Sequence, residues 1–388
     1  MMRLALLIAC LILTTASLGG AKQCSRLITA QMRANAQANI ARFGWAAGQR
    51  DAAVSAAKSW AALSDDELWS LVPSQDVPRD IHTNKEAGCP NCGDGITPYG
   101  NYPWRVDFWG KPWKVTCPNC GETYPKNDFY AFYKSALDEH GFFHRELGDQ
   151  SLLFNADHPD PNDPLHKVYV DDGYGMVDPQ GRRHRPVAYY CQWAHWQNLL
   201  RAVPALANAY ALTSEPLYAH KCAVLLDRIA DVYPEMDFMP LHKLGFEHSH
   251  GGPGRGRIEG CIWETGTAKQ LSSAYDTIFD ALAADAELIG FSAQKAQQHD
   301  LGDKSSAEAL CRHIEDHLLM EFLISVKDGR VSGNTGMTHT ALAAAAIALD
   351  REGVTDEWLD WLFDPGFPGD YGAKHDPIPW VLTEGLDR

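Results

Sequence analysis

The sequence predicts a mainly α fold of antiparallel helical hairpins, interrupted by one small cysteine-bearing insert. Two observations carry this. Apolar residues recur at steps of three and four through successive segments, which gives each helix one buried face. Between the first such segments and the rest lies a stretch of Gly, Pro, Cys and aromatics, from about 81 to 145, holding two identical Cys-Pro-Asn-Cys-Gly runs. Helices joined by short loops stack as hairpins. No strict short-period repeat is visible, so a closed α/α toroid is expected rather than a solenoid of identical units.

Residues 1–21 read as a secretory signal. Arg3 gives the positive start, residues 4–13 the apolar run, and Gly19-Gly20-Ala21 a small-residue cleavage site. That run is too short to span a bilayer, and no later one is long enough. A secreted or periplasmic protein is expected. Residues 22–80 form an N-terminal helical segment, with Leu27, Ile28, Met32, Ile40 and Phe43 anchoring a helix over 25–49. Ser64-Asp65-Asp66-Glu67 is a capping box opening the next helix.

In the insert, Cys89-Pro90-Asn91-Cys92-Gly93 is answered by Cys117-Pro118-Asn119-Cys120-Gly121. This spacing predicts a zinc-ribbon-like site in which Cys89, Cys92, Cys117 and Cys120 hold a structural Zn²⁺. The glycine after each second cysteine permits a tight turn. Disulfides are the alternative that an exported protein permits. Four thiolates would close the metal's coordination shell, so the ion is expected to staple the fold and not to meet substrate. The other cysteines past the leader, Cys24, Cys191, Cys222, Cys261 and Cys311, are odd in number, so at least one thiol is free.

From 146 onward the chain is assigned to the toroid. Residues 148–186 read as a surface excursion, with short strands around 167–170. A stripe of Tyr189, Trp193, Trp196, Leu200, Val203, Ala207 and Tyr210 follows, and Pro204 should kink or divide it. Pro216 opens the next helix. Glu264, Ala268, Leu271, Tyr275, Ile278 and Leu282 share another face. A carboxylate there is costly to bury alone, so Glu264 should pair with a cation such as Arg257 or face a cleft. Ser305-Ser306-Ala307-Glu308 reads as a second capping box, and a short helix is expected over 355–362.

The last long helix is entered through Gly333-Asn334-Thr335-Gly336-Met337-Thr338-His339. Asn334 either caps this helix or, with His339, points into the space the helices enclose.

The net charge of −16 argues against nucleic acid as the main partner. An acidic polymer would need local cations, for which Arg182-Arg183-His184-Arg185 and the pair Arg255 and Arg257 are available.

Three runs bear on identity: Arg185-Pro186-Val187-Ala188-Tyr189-Tyr190-Cys191-Gln192-Trp193-Ala194-His195-Trp196; Ile262-Trp263-Glu264-Thr265 with Ala274-Tyr275-Asp276; and Gly333-Asn334-Thr335-Gly336-Met337. Together they resemble the heparinase II/III-like polysaccharide lyases. The twin cysteine knuckles followed by Tyr124-Pro125-Lys126-Asn127-Asp128-Phe129 are similar to an insert in a bacterial branch of that family. The resemblance implies an incomplete α/α toroid followed by a C-terminal β-sandwich, which is expected to be absent from this chain. It also implies β-elimination on an anionic, uronic-acid polysaccharide.

By that resemblance Asn334 neutralises the uronate carboxylate, and His339, one place from the family's His-Gln pair, joins it as a catalytic group. The family's catalytic tyrosine would fall just past Arg388. His195, Trp196, Arg257, Trp263 and Glu264 are the candidate substrate contacts. Trp196 and Trp263 either stack on sugars or fill core, and His195 is either a catalyst or a satisfied helix histidine. Two other classes compete: a glycoside hydrolase pairing Glu264 with Asp171 or Asp172, and a non-catalytic, zinc-stapled carbohydrate-binding protein.

Overall fold

The computed structural model describes residues 21–79, 88–238, 256–260, 262–334 and 336–364. Within them the chain is mainly helical. The expectations for the leader, for Arg255 and Cys261, and for everything past 364 lie outside the described residues.

Two helices, α1 (Ala30–Arg42) and α2 (Gly44–Ala61), replace the single one expected at 25–49. The break is Phe43, whose extended backbone ends α1 and starts α2. Helix α3 (Asp65–Leu71) opens on the predicted capping box: Ser64 accepts from the Glu67 amide, and Glu67 reaches back to the Ser64 amide at 2.8 Å. In the insert, strands β1 (Arg105–Val106), β2 (Val115–Thr116) and β3 (Thr123–Tyr124) form an antiparallel sheet in that order, followed by α4 (Phe129–Ser135).

The surface excursion is largely irregular, as expected. Its strands lie elsewhere, at β4 (Met176–Val177) and β5 (Arg183–His184). The basic cluster therefore sits on a hairpin. Asp178 fixes it by accepting from the Arg182 amide at 2.8 Å and guanidinium at 2.7 Å, and facing His184 Nε2 at 3.0 Å.

Pro204 does not divide its helix. Helix α5 (Pro186–Tyr190) passes through a π-helical turn, Cys191–Trp196, into α6 (Gln197–Thr213), and Pro204 lies inside α6. The irregularity falls at the π turn instead. Helix α7 (Pro216–Val232) starts on proline as predicted and is buried along nearly its whole length. Then come α8 (Trp263–Leu282), α9 (Ala286–His299), α10 (Ala307–Ile314), α11 (Met320–Lys327), α12 (Met337–Leu349) and α13 (Val354–Leu362). Ser306, not Ser305, caps α10 by accepting from the Ala309 amide.

Helix α8 is the hub, packed against α6, α7 and α12. Most alanines of α12 are buried, with Leu342 and Leu349. The face of α8 read from the sequence is the buried one. Asp276, also buried though not on that stripe, accepts the main-chain amides of Arg26, Leu27 and Ile28 at 2.8, 2.7 and 3.2 Å and the Lys22 ammonium at 2.7 Å. The start of the described chain is thereby sewn onto the hub. Tyr275 is core, its hydroxyl donating to Glu315 at 2.8 Å.

Candidate functional site

The cysteine knuckles close on one another. All four Sγ atoms of Cys89, Cys92, Cys117 and Cys120 lie within 4.8 Å of each other. The shortest separations cross between knuckles, Cys89 to Cys120 and Cys92 to Cys117, both 3.7 Å. No disulfide joins them. A tetrahedral ion bound by thiolates at about 2.3 Å puts the sulfurs about 3.8 Å apart, so the cluster is sized for one metal ion.

Each knuckle is a tight turn. The Gly93 amide donates to Cys89 O at 2.8 Å and the Gly121 amide to Cys117 O at 3.0 Å, with φ of 54° and 78° at the two glycines. Burial acts to raise the Cys120 thiol. The Glu122 amide, the Asn91 side chain and the neighbouring thiols outweigh it, bringing Cys120 down to about 7. The Glu122 amide and the Asn91 side chain are thus aimed at the Cys120 sulfur, whereas burial pushes the Cys89 and Cys117 thiols up.

A second feature is an open cleft of about 360 Å³ where the insert meets the helices. Tyr102 from the insert, Trp193 from the π turn, Trp263 from the start of α8 and Met337 from the start of α12 form its apolar walls. Tyr102 and Trp193 lie 5.2 Å apart between ring centroids. Gln197, Gln270, Thr267 and Glu259 supply its polar groups. Glu259 accepts from Thr267 Oγ1 at 2.8 Å and from Gln197 Nε2. Behind it, fully buried Glu264 accepts from the Glu259 amide at 2.6 Å and the Tyr233 hydroxyl at 3.1 Å. Burial first, and then the neighbouring Glu264 charge, push the Glu259 carboxyl up to about 7 against the bonds from Thr267 and Gln197.

The backbone around Glu259 demands glycine. Gly256 has φ 130°, and a Cβ there would sit 2.0 Å from Glu259 O. A Cβ on Gly260 would strike the Phe238 ring at 2.5 Å.

Two larger hollows, of about 610 and 740 Å³, lie elsewhere. In the first, Glu315 is engaged by Tyr275 and Arg351. In the second, His220 sits between Asp65 and Asp285. Their charges serve the fold, whereas the smaller cleft combines aromatic walls with a carboxyl that faces no cation among the described residues.

The residues expected from sequence are scattered. Trp263 lines the cleft. Trp196 is fully buried and offers no face to a ligand. His195 is buried among Phe108, Trp113 and Tyr190, its Nδ1 2.8 Å from Leu71 O, and burial holds it neutral down to about 4. Arg257 is fully buried and committed to Glu321, Ser325 and the carbonyls of Tyr233 and Pro234. It is therefore not a sugar contact. Glu264 neither faces the cleft nor pairs with the Arg257 guanidinium; main-chain amides, that of Arg257 among them, surround it instead.

Asn334 is exposed and does not cap α12, whose N-cap is Gly336. Its carbonyl takes the Met337 amide at 2.8 Å, which sets the Asn334 turn beside a cleft wall. Gly333 of the same turn approaches Thr265 of α8 so closely that a Cβ would come within 3.1 Å. His339 is buried on the inward face of α12, as its spacing predicted. Of the two hydrolase pairings, Glu264 with Asp171 joins two fully buried carboxyls, Asp171 Oδ1 being taken by the amides of Gly173 and Gly175, while Asp172 is partly exposed and 3.3 Å from the Arg145 guanidinium.

Tyr102, Trp193, Gln197, Glu259, Thr267 and Gln270 carry no signature of ligand contact in the sequence. Trp193 lies on a stripe that reads as core. Glu259 lies in a glycine-flanked loop without periodicity. No protein-family model matches the chain, and no curated protein or solved structure gives a match.

Proposed function

We propose that the chain is the α/α-toroid portion of an exported uronic-acid polysaccharide lyase of the heparinase II/III type, and that the aromatic cleft is its glycan site. The single observation that carries this is the meeting of three aromatic rings, one of them Trp263, with amide and carboxyl side chains in one open cleft, beside the exposed turn bearing Asn334. Aromatic faces stack on sugar rings, while Gln197, Gln270 and Thr267 exchange hydrogen bonds with hydroxyls. The four-cysteine cluster is read as a structural zinc site: its donor set and spacing suit Zn²⁺, and no open position is left for substrate.

The chemistry asked of such a site is β-elimination. A base removes the C5 proton of the uronate, the C4–O4 bond breaks, and the leaving oxygen is protonated. Negative charge accumulates on the carboxylate as the proton leaves, so a donor aimed there lowers the barrier. Asn334 is the residue we assign to that donation.

The test is product chemistry on a panel of uronate polysaccharides. A lyase leaves an unsaturated uronyl end that absorbs in the ultraviolet. Asn334→Ala should lower turnover by orders of magnitude without unfolding. Retained turnover would remove Asn334 from the mechanism. Saturated reducing ends would instead favour hydrolysis, for which Glu259 is the described carboxyl in the cleft. Binding without turnover would leave a carbohydrate-binding protein.

A further inference from the structure

Glu259 is the one carboxylic acid among the described residues that line the cleft. Its two side-chain partners, Thr267 and Gln197, are neutral. Charged and titratable groups surround it on several sides. Glu264 lies behind it, bound to the Tyr233 hydroxyl and to the Glu259 amide. Arg257, two residues earlier, turns its guanidinium away toward Glu321. Arg79 spends its guanidinium on main-chain carbonyls, including that of Arg257. Tyr102 faces it from the insert wall. No lysine, arginine or histidine among the described residues lines the cleft.

An ionised Glu259 would therefore meet an ionised sugar acid at short range in a partly desolvated space. That repulsion is large where water is excluded. A protonated Glu259 turns the same encounter into a hydrogen bond between an acid and a carboxylate, one of the stronger kinds.

Resting on the reading of this cleft as a uronate site, we infer that Glu259 binds an anionic sugar as the neutral acid, donating its proton to the sugar's carboxylate, so that ligand binding takes up a proton from solvent. The position of the carboxyl, pushed to about 7 by burial, is consistent with this. Thr267 and Gln197 occupy acceptor sites on the carboxyl and orient it. Glu259 is thus a specificity residue: it favours acidic glycans at mildly acidic pH and rejects them as pH rises.

The experiment is calorimetric titration of the chain with a tetra-uronate and with its carboxyl-reduced, neutral counterpart between about pH 5.5 and 9, repeated with Glu259→Gln. For the wild type, uronate affinity should fall about tenfold per pH unit above the carboxyl's own pKa, while the neutral glycan binds equally at every pH. Above that pKa the heat should change with buffer ionisation enthalpy, reporting about one proton taken up, and well below it, where the acid is already protonated, the heat should be independent of the buffer. Glu259→Gln, which keeps a donor but cannot ionise, should bind the uronate without that pH dependence. A flat wild-type profile, or an unchanged slope in Glu259→Gln, overturns the inference while leaving the cleft a glycan site. Failure of both glycans to bind the wild type removes the glycan reading and this inference with it.

Discussion

The main-chain N–H of Glu259 donates to Oε2 of Glu264 at 2.6 Å, so a buried carboxyl in the first turn of α8 positions the carboxyl in the cleft. Glu264 also bonds the amides of Arg257 and Ile258 and the Tyr233 hydroxyl. It thereby gathers a segment that has no regular secondary structure of its own. Glu264→Ala should leave several buried donors unsatisfied and cost about 3 kcal/mol or more in denaturant unfolding. Glycan binding should fall with it, because the Glu259 loop loses its anchor. Glu264→Gln keeps the shape and should cost less. A Glu264→Ala variant as stable as the wild type would contradict this assignment.

This pair marks the boundary of what the sequence discloses. Helix positions follow from apolar spacing because packing on α8 needs one continuous face, and Leu271, Tyr275 and Ile278 meet that need. The cysteine cluster is legible because metal geometry constrains short spacings. Glu264 stands out as anomalous on an apolar face, but its partners are main-chain amides, which every residue carries and no pattern reveals. The cleft is legible only in Trp263. Its other walls come from a π turn, from the insert and from the start of α12, and nothing local in Tyr102, Trp193 or Met337 says that they will meet. Asn334 reads equally well as a cap; the left-handed Gly336 takes that position instead.

The cysteine cluster should bind one equivalent of zinc per chain. Cys117→Ser, or a strong chelator, should release it, as read by elemental analysis, and should destabilise the insert because metal and fold are coupled. Since Tyr102 rides on that insert, affinity for glycans should drop at the same time, while far-ultraviolet helicity stays close to that of the wild type. Full metal retention in Cys117→Ser would exclude the four-thiolate site.

Asp171 gives a pH dependence of definite sign. Burial first pushes its carboxyl up to about 7, opposed by the amides of Gly175 and Gly173 and reinforced by the charge of Asp172. The folded state therefore holds this proton more tightly than the unfolded chain. Its contribution to stability is complete below pH 3.8, shrinks as pH rises, and is gone above about 7. Asp171→Asn mimics the protonated form. It should match the wild type near pH 4 and exceed it by up to about 4 kcal/mol at pH 8. Parallel unfolding curves for the two proteins at every pH would refute the burial argument.

Lys304 tests whether a cluster shaped like a second metal site needs a metal at all. Asp227, Asp231 and His313 converge within 4.8 Å. The Lys304 ammonium already sits among them, 2.8 Å from Asp227 and 2.6 Å from Asp231, with all three charged groups nearly inaccessible. His313 Nε2 lies 3.0 Å from Asp231 and the Arg228 guanidinium 3.3 Å away. Burial alone would raise the Asp231 carboxyl. The Lys304 charge, His313 and Arg228 overcome it and hold it down at about 2. Lys304→Met removes the main counter-charge and leaves two carboxylates close together in the core. Breaking a buried pair in this way costs about 3–5 kcal/mol. Part of that loss should return in Asp227→Asn/Lys304→Met, where one of the stranded charges is gone. A Lys304→Met protein that unfolds at the wild-type denaturant concentration would mean that the ammonium is dispensable and that the carboxylates are neutralised some other way.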